Sequence, residues 1–227
     1  LRRRLADFDD LRLEAMDEAD IAFAVLSPTV PGVQTEPDAA KAVDLARRTN
    51  DRLAVEVQKR PTRYGGFAAL PMQDPAAAAD ELDRAMRQLH FNGAMINGHT
   101  LGHYLDEDRF LPFWERVESL AAPIYLHPTD PADRPAMFAG RPELNGSTWA
   151  WTTEAATHAL RLVFGGTFRR FPGVRLILGH MGETLPYVLW RLDNRFQRAA
   201  GDLAPDELPS AIIKRHIWIT TTGVCDP

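Results

Sequence analysis

The sequence predicts an α/β fold with a mainly parallel sheet. Short and almost wholly apolar runs alternate along the chain with longer stretches of helical periodicity, and turn residues separate the two. Parallel strands that helices cover on both faces have this continuous apolar character. The composition does not change along the 227 residues. The pattern therefore indicates one domain, over residues 1–227, that is built from repeated strand–helix units.

Six apolar runs are predicted to be strands, and helices are predicted to fill the gaps. The predicted strands span residues 21–26, 66–70, 93–96, 124–126, 174–178 and 217–221. Pro37 opens a long helix that should end before Pro61, because proline disrupts a helix interior. Asp74 and Pro75 are typical of an N-cap and a first helical residue, and they begin a helix that runs to Leu89. The other predicted helices span residues 108–120, 152–164, 184–198 and 205–214, and residues 128–147, rich in Pro, Gly and Asp, predict a long loop.

Two arrangements of a parallel sheet are compatible with this pattern: an open, doubly wound sheet and a closed barrel. A dinucleotide-binding sheet would carry a G-x-G-x-x-G turn after its first strand. Residues 27–32 read Ser-Pro-Thr-Val-Pro-Gly instead. The prediction is therefore a (β/α)₈ barrel, although six strand–helix units are two fewer than a complete barrel needs.

Charge and cysteine content exclude several classes of protein. The net charge is -5 and the sequence pI is about 5.8, and the arginines are scattered apart from the run Arg2–Arg4, which is interpreted as a solvated helix start. We therefore expect no nucleic-acid or membrane partner, since either would require a basic surface. Cys225 is the single cysteine, so a reducing cytoplasm is the simplest compartment. No run approaches the length of about 18 apolar residues that a membrane span needs.

Histidines follow two neighbouring predicted strands at the point where each strand ends. His127 follows the fourth strand and His180 the fifth. The carboxyl ends of barrel strands surround the active-site mouth, so the two imidazoles should converge there. Histidine with carboxylate is a normal ligand set for zinc or manganese, but a catalytic zinc generally has three protein ligands. These strand ends offer one or two.

Four further residues near the predicted mouth each have a functional and a structural interpretation. Glu183, at a predicted helix start, either orients the His180 ring or is an ordinary helix-start glutamate. Arg191 either grips a substrate carboxylate or makes a surface salt bridge. Trp149 and Trp151 either belong to the core or line an aromatic pocket, and because they follow the long loop after the fourth strand, at least one of them is expected to face the pocket.

Two residue pairs that contain histidine are interpreted as structural or solvated. Glu154 and His158 lie four residues apart on one predicted helix, but the metalloprotease pattern H-E-x-x-H is absent there, which favours a structural pair. His99 and His103 lie on the loop after the third strand. We expect them to be solvated, with one at most at the rim of the pocket.

Four motifs resemble one family of enzymes over essentially the whole chain. They are FAALPMQDP at residues 67–75, PFW at 112–114, YLHP at 125–128 and ILGHMGE at 177–183. Together they resemble the amidohydrolase-related aminocarboxymuconate-semialdehyde decarboxylase family, and within it most closely the γ-resorcylate (2,6-dihydroxybenzoate) and 2,3-dihydroxybenzoate decarboxylases.

The resemblance implies a barrel that holds one divalent metal ion, zinc or manganese, and a small aromatic carboxylic acid as substrate. By this resemblance His127 matches a metal ligand, and His180 with Glu183 matches the pair that transfers a proton. Arg191 and Trp151 match substrate-facing positions, and Asn97 falls at a mouth position. The resemblance also implies a homodimer or homotetramer.

The sequence departs from the family at both ends. Members begin with a strand that bears Glu-x-His or His-x-His and close the barrel with a strand that bears an aspartate ligand, and neither segment is in these 227 residues. The sequence is therefore expected to be the central part of a longer protein. The predicted function is non-oxidative decarboxylation of a hydroxybenzoate, a carbon–carbon lyase reaction. The alternatives are a metal-dependent lactone or amide hydrolase on the same fold, and a catalytically dead truncated paralogue.

Overall fold

The computed structural model describes residues 5–223, and six strands within them form one parallel sheet. The strands are β1 Ala24–Leu26, β2 Tyr64–Ala69, β3 Gly93–Asn97, β4 Ile124–His127, β5 Leu176–Leu178 and β6 Ile217–Ile219. Their order in the sheet is the order in the chain, and every neighbouring pair is parallel. A doubly wound sheet reverses its order at a switch point, whereas a barrel does not. The predicted fold class is therefore confirmed.

One helix precedes β1, and the other helices connect successive strands. The helices are α1 Asp10–Glu18, α2 Ala39–Lys59, α3 Pro75–Arg87, α4 Leu111–Leu120, α5 Ala150–Phe164, α6 Thr167–Arg170, α7 Leu185–Ala200 and α8 Pro209–His216. The predicted start of α3 is confirmed, because the Asp74 carboxylate accepts from the amides of Ala76 and Ala77 and Pro75 occupies the first turn. Helix α2 ends at Lys59, before Pro61, as predicted.

Several predicted boundaries were wrong by a few residues. The first strand begins at Ala24 rather than at residue 21, and the last ends at Ile219 rather than at residue 221. The helix predicted over 205–214 is a 3₁₀ turn, Pro205–Glu207, followed by α8. Leu208 separates the two in an extended conformation, which the following proline imposes on it. The predicted loop 128–147 contains three 3₁₀ turns, and α5 begins at Ala150.

Side chains alternate between the two faces of the sheet. In β4, Ile124 and Leu126 are fully buried against the helices, while Tyr125 and His127 lie on the opposite, inner face. Phe67 of β2 reaches the same face, since its ring centroid lies 6.2 Å from that of Tyr125 across β3. The inner face thus carries aromatic side chains within the strands and polar side chains at the carboxyl ends of the strands. Within residues 5–223, no helix is both long and apolar enough to cross a membrane.

Candidate functional site

His127 ends β4 at the carboxyl edge of the sheet. It is paired in register with Asn97, the last residue of β3. The Nδ1–H of His127 donates to the Pro128 carbonyl at 2.8 Å, so the lone pair is on Nε2. Burial, with the neighbouring His180 as a smaller contribution, lowers the pKa of His127. The ring is therefore neutral near pH 7, which is the form that binds a metal ion.

His180 begins an unusual turn after β5. Residues 180–184 all have positive φ, with values of 47°, 56°, 76°, 51° and 71°. Four of the five carry side chains, for which this left-handed conformation is unfavourable. The Met181 amide ties the turn to β6 through the Thr220 carbonyl at 3.1 Å. The turn projects the His180 ring toward His127, and the two ring centroids lie 6.1 Å apart.

Glu183 is buried beneath His180 with only 1% of its surface exposed. Its Oε1 pairs with Nδ1 of His180, and its Oε2 accepts from the Thr152 hydroxyl at 2.9 Å. The expected position at the start of the following helix was wrong, because Glu183 lies within the left-handed turn and α7 begins at Leu185. Instead the carboxylate lies at the first turn of α5, where Thr152 is the third residue, and the dipole of that helix favours its negative charge.

Trp151 forms another wall of the mouth. Its ring centroid lies 6.0 Å from that of His127, and its indole Nε1 is buried without a hydrogen-bond partner among the described residues. Trp149 is 46% exposed and lies outside this wall. The expectation that at least one of these tryptophans faces the pocket therefore agrees with the position of Trp151.

Asn97 is 6% exposed and is held by the loop that follows β1. The backbone N–H of Asn97 donates to Oε1 of Gln34 at 2.6 Å. The side-chain Nδ2 of Asn97 lies 2.8 Å from the position that a Cβ on Gly32 would occupy. The Oδ1 of Asn97 has no partner in the described part of the chain. Gln34 could not be identified from the sequence, because a loop glutamine 63 residues away from Asn97 carries no local signal of this contact.

The remaining polar candidates lie elsewhere. Arg191 is on α7 and exposed, and the structure does not place it against the two histidines. His103 is exposed and pairs with Glu107 at 2.8 Å, as expected for a solvated loop histidine. His99 is half-buried and contacts the Asp130 carbonyl at 3.1 Å.

Glu154 and His158 form a fully buried pair on α5, with Glu154 Oε1 and His158 Nδ1 3.6 Å apart. The Leu105 amide donates to Nε2 of His158 at 3.0 Å, so the imidazole proton is on Nδ1 and faces the carboxylate. Both carboxylate oxygens of Glu154 and Nδ1 of His158 lack a hydrogen-bond partner among the described residues, so the two side chains are neighbours without a hydrogen bond between them.

Comparison with known proteins identifies the family. The sequence profile of the family described as "Amidohydrolase" matches residues 2–214. The chain belongs to the amidohydrolase family. The γ-resorcylate decarboxylase of Rhodococcus jostii (strain RHA1) is 48% identical over 205 residues, which cover 86% of this chain and 62% of that protein. This chain therefore spans less than two thirds of the length of that relative.

Two solved amidohydrolase-fold structures are also similar. A 2,6-dihydroxybenzoate decarboxylase from Rhizobium superposes with a TM-score of 0.90 at 44% identity, covering 98% of this chain and 72% of its own. A dihydroxybenzoic acid decarboxylase from Polaromonas sp. JS666 superposes with a TM-score of 0.87 at 43% identity, covering 98% and 70% respectively. That structure contains bound manganese and the inhibitor 2-nitroresorcinol.

The described residues place two histidine rings at the mouth, and imidazole is a common metal ligand. At the mouth, Nε2 of His127 carries a lone pair, because Nδ1 of that ring holds the proton. In the neighbouring His180 ring, Nδ1 is occupied by Glu183, so Nε2 is the nitrogen that remains for other contacts. Between residues 5 and 223, however, no three His, Cys, Asp or Glu side chains come close enough to hold a metal ion. His127 therefore fits one position of a site that needs further ligands.

Proposed function

We propose that the full-length protein is a metal-dependent, non-oxidative decarboxylase that acts reversibly on a hydroxybenzoate. The observation that carries this proposal is the buried Glu183 paired with His180, beside a neutral His127 at the same edge of the sheet. A histidine whose far nitrogen is held by a carboxylate can donate and accept a proton at its free nitrogen. The names of the relatives support the same activity.

His180 and Glu183 act together as the proton donor. The Glu183 carboxylate holds a proton on Nδ1 of His180 and stabilises the positive charge of the ring when Nε2 is also protonated. The proton on Nε2 passes to the ring carbon that bears the substrate carboxylate, which interrupts aromaticity. The bond between that carbon and the carboxylate then breaks, carbon dioxide leaves, and the electron pair of the bond restores the aromatic ring. Proton transfer from a placed acid contributes roughly 10²–10⁴-fold to a rate.

His127 would hold the divalent metal ion, zinc or manganese, through Nε2. When bound, such an ion supplies charge stabilisation and orientation for the substrate carboxylate and for the oxygen substituent at the ortho position of the ring. Trp151 contributes an apolar wall next to His127 and an indole N–H that has no partner within residues 5–223. At the same edge, Asn97 presents a side-chain amide oxygen to which no described residue donates a hydrogen bond. Arg191 remains proposed as a substrate-binding residue on the strength of the family resemblance alone.

The same proposal extends to partners and location. The substrate is a small aromatic carboxylic acid, as the names of the relatives suggest. The family resemblance suggests a homodimer or homotetramer. A cytoplasmic location is consistent with the single cysteine, Cys225, which lies outside the described residues.

The test is elemental analysis of the purified full-length protein together with carbon dioxide release from 2,6- and 2,3-dihydroxybenzoate. We expect about one zinc or manganese ion per chain, release of carbon dioxide, and loss of that release in His180→Ala and after removal of the metal by a chelator. Bound metal with hydrolysis of a lactone or amide, but no carbon dioxide from either acid, would favour the hydrolase alternative. A protein without metal and without either activity would favour the dead paralogue.

A further inference from the structure

The hydroxyl of Thr152 is the second partner of the buried Glu183 carboxylate. It donates to Oε2 at 2.9 Å, while Oε1 is occupied by Nδ1 of His180. The three side chains thus form a chain of hydrogen bonds that begins on α5 and ends at the free Nε2 of His180. We propose that Thr152 is a positioning residue, which sets the orientation of His180 by fixing the rotation of the Glu183 carboxylate. This inference rests on the proposed function of the same site.

The local backbone explains why Glu183 requires this partner. Glu183 and His180 both lie in the left-handed turn of residues 180–184, a conformation that L side chains rarely adopt. Such a turn persists only when surrounding contacts over-determine it. Thr152 reaches the turn from a different element, the first turn of α5, so its hydrogen bond couples the turn to a rigid helix.

Burial makes the hydrogen bond of Thr152 hard to replace. Glu183 is 1% exposed, so water has little access to Oε2 when the hydroxyl is removed. A carboxylate oxygen left unpaired in this way rotates toward any remaining donor. Rotation would draw Oε1 away from Nδ1 of His180, and the imidazole would lose the hydrogen bond that fixes its tautomer and orientation.

The chain itself offers a matched control for this contact. Thr153, the next residue of α5, has the same side chain and is also partly buried, but its hydroxyl donates to the Ala150 carbonyl within the helix at 2.9 Å. Removing that hydroxyl perturbs the same helical turn without touching Glu183.

The experiment compares Thr152→Val, Thr152→Ala, Thr152→Ser and Thr153→Val in the full-length protein. Loss of the hydroxyl at residue 152 should lower kcat roughly 10–100-fold with KM changed less than about threefold, because partners of this kind typically act at that magnitude. Thr152→Ser should restore kcat to within about threefold of the wild type. Thr153→Val should match the wild type in kcat. Thr152→Ala stands in if the valine variant does not fold.

A second readout does not depend on activity. In protein labelled with ¹⁵N-histidine, the Nδ1–H signal of His180, assigned by its loss in His180→Gln, should shift or broaden in Thr152→Val and stay in place in Thr153→Val. Wild-type protein that releases no carbon dioxide, with this signal behaving as described, would count against the proposed reaction and not against the positioning role. An unchanged kcat and an unchanged signal in both hydroxyl-deleting variants of residue 152 would overturn the inference.

Discussion

Asn50 completes the sheet where β1 is too short to do so. The register of β1 with β2 covers only Tyr64 to Gly66, so on that side no strand of the described residues lies beside β2 beyond Gly66. The Asn50 side chain, fully buried on α2, accepts from the Ala69 amide at 2.8 Å and donates to the Ala69 carbonyl at 2.9 Å. Its Nδ2 also donates to Glu81 at 2.7 Å. A side-chain amide therefore takes the place of a neighbouring peptide group.

Asn50→Ala should be strongly destabilising. It leaves two buried backbone groups of Ala69 without partners, and each such group costs about 1–3 kcal/mol. Glu81 adds little to this sum, because it keeps Arg84 at 2.8 Å. The expected loss in the free energy of unfolding is about 4 kcal/mol, which for a domain of this size lowers Tm by roughly 8–16 °C.

Urea denaturation followed by circular dichroism measures this loss directly, with an unchanged m-value as the sign that only stability changed. Gln58→Ala is the matched control, since it truncates an exposed side-chain amide on the same helix and should change stability by less than about 0.5 kcal/mol. Asn50→Asp should be at least as damaging as Asn50→Ala, because it removes the donor and sets a second carboxylate against Glu81. A loss of less than about 1 kcal/mol in Asn50→Ala would refute the reasoning.

Three further predictions concern other parts of the molecule. Gly98→Ala should destabilise the fold by about 1–2 kcal/mol or more, because Gly98 has a φ of 58° and the added Cβ would lie 2.4 Å from Cγ2 of Thr129; an unchanged urea midpoint would contradict this. Burial lowers the pKa of His216 below its ordinary value of 6.5, so the unfolded chain binds this proton more readily and stability should fall as the pH drops below about 6.5. His216→Gln should make that fall less steep, and an equal slope in both proteins would exclude the contribution of His216. Arg191→Met should raise KM for a hydroxybenzoate roughly tenfold or more with kcat nearly unchanged, as expected when a charged contact to the substrate is lost, and an unaltered KM would remove Arg191 from the substrate site.

The fold class could be predicted because it depends on patterns that are local in sequence. Apolar runs of strand length and the Asp74–Pro75 helix start are each contained within a few residues. Boundaries were less predictable, because they depend on partners. Residues 21–23 are apolar like the rest of the predicted first strand, but β2 pairs only with Ala24 to Leu26, so the strand is shorter than its apolar run.

The site could be predicted best where its residues follow strand ends. His127 and His180 were identified in this way, and the structure brings their rings within 6.1 Å. The contacts of Thr152 and Gln34 could not be anticipated, because each depends on a side chain from a distant segment reaching a strand end or a turn. Trp151 was singled out by its place after the long loop, and its position beside His127 follows from the start of α5 at Ala150.

The turn of residues 180–184 shows how strain and burial are combined at this site. A left-handed turn is unfavourable for His180, Met181, Glu183 and Thr184, and a buried carboxylate is unfavourable unless it is paired. Each cost is offset by contacts that also orient the imidazole: one to β6 through the Met181 amide, and two from the Glu183 oxygens. A regular helix start would have turned the His180 side chain along a helix surface. The strained turn instead holds it over the ends of β4 and β5, beside His127, which is the position that the proposed proton transfer requires.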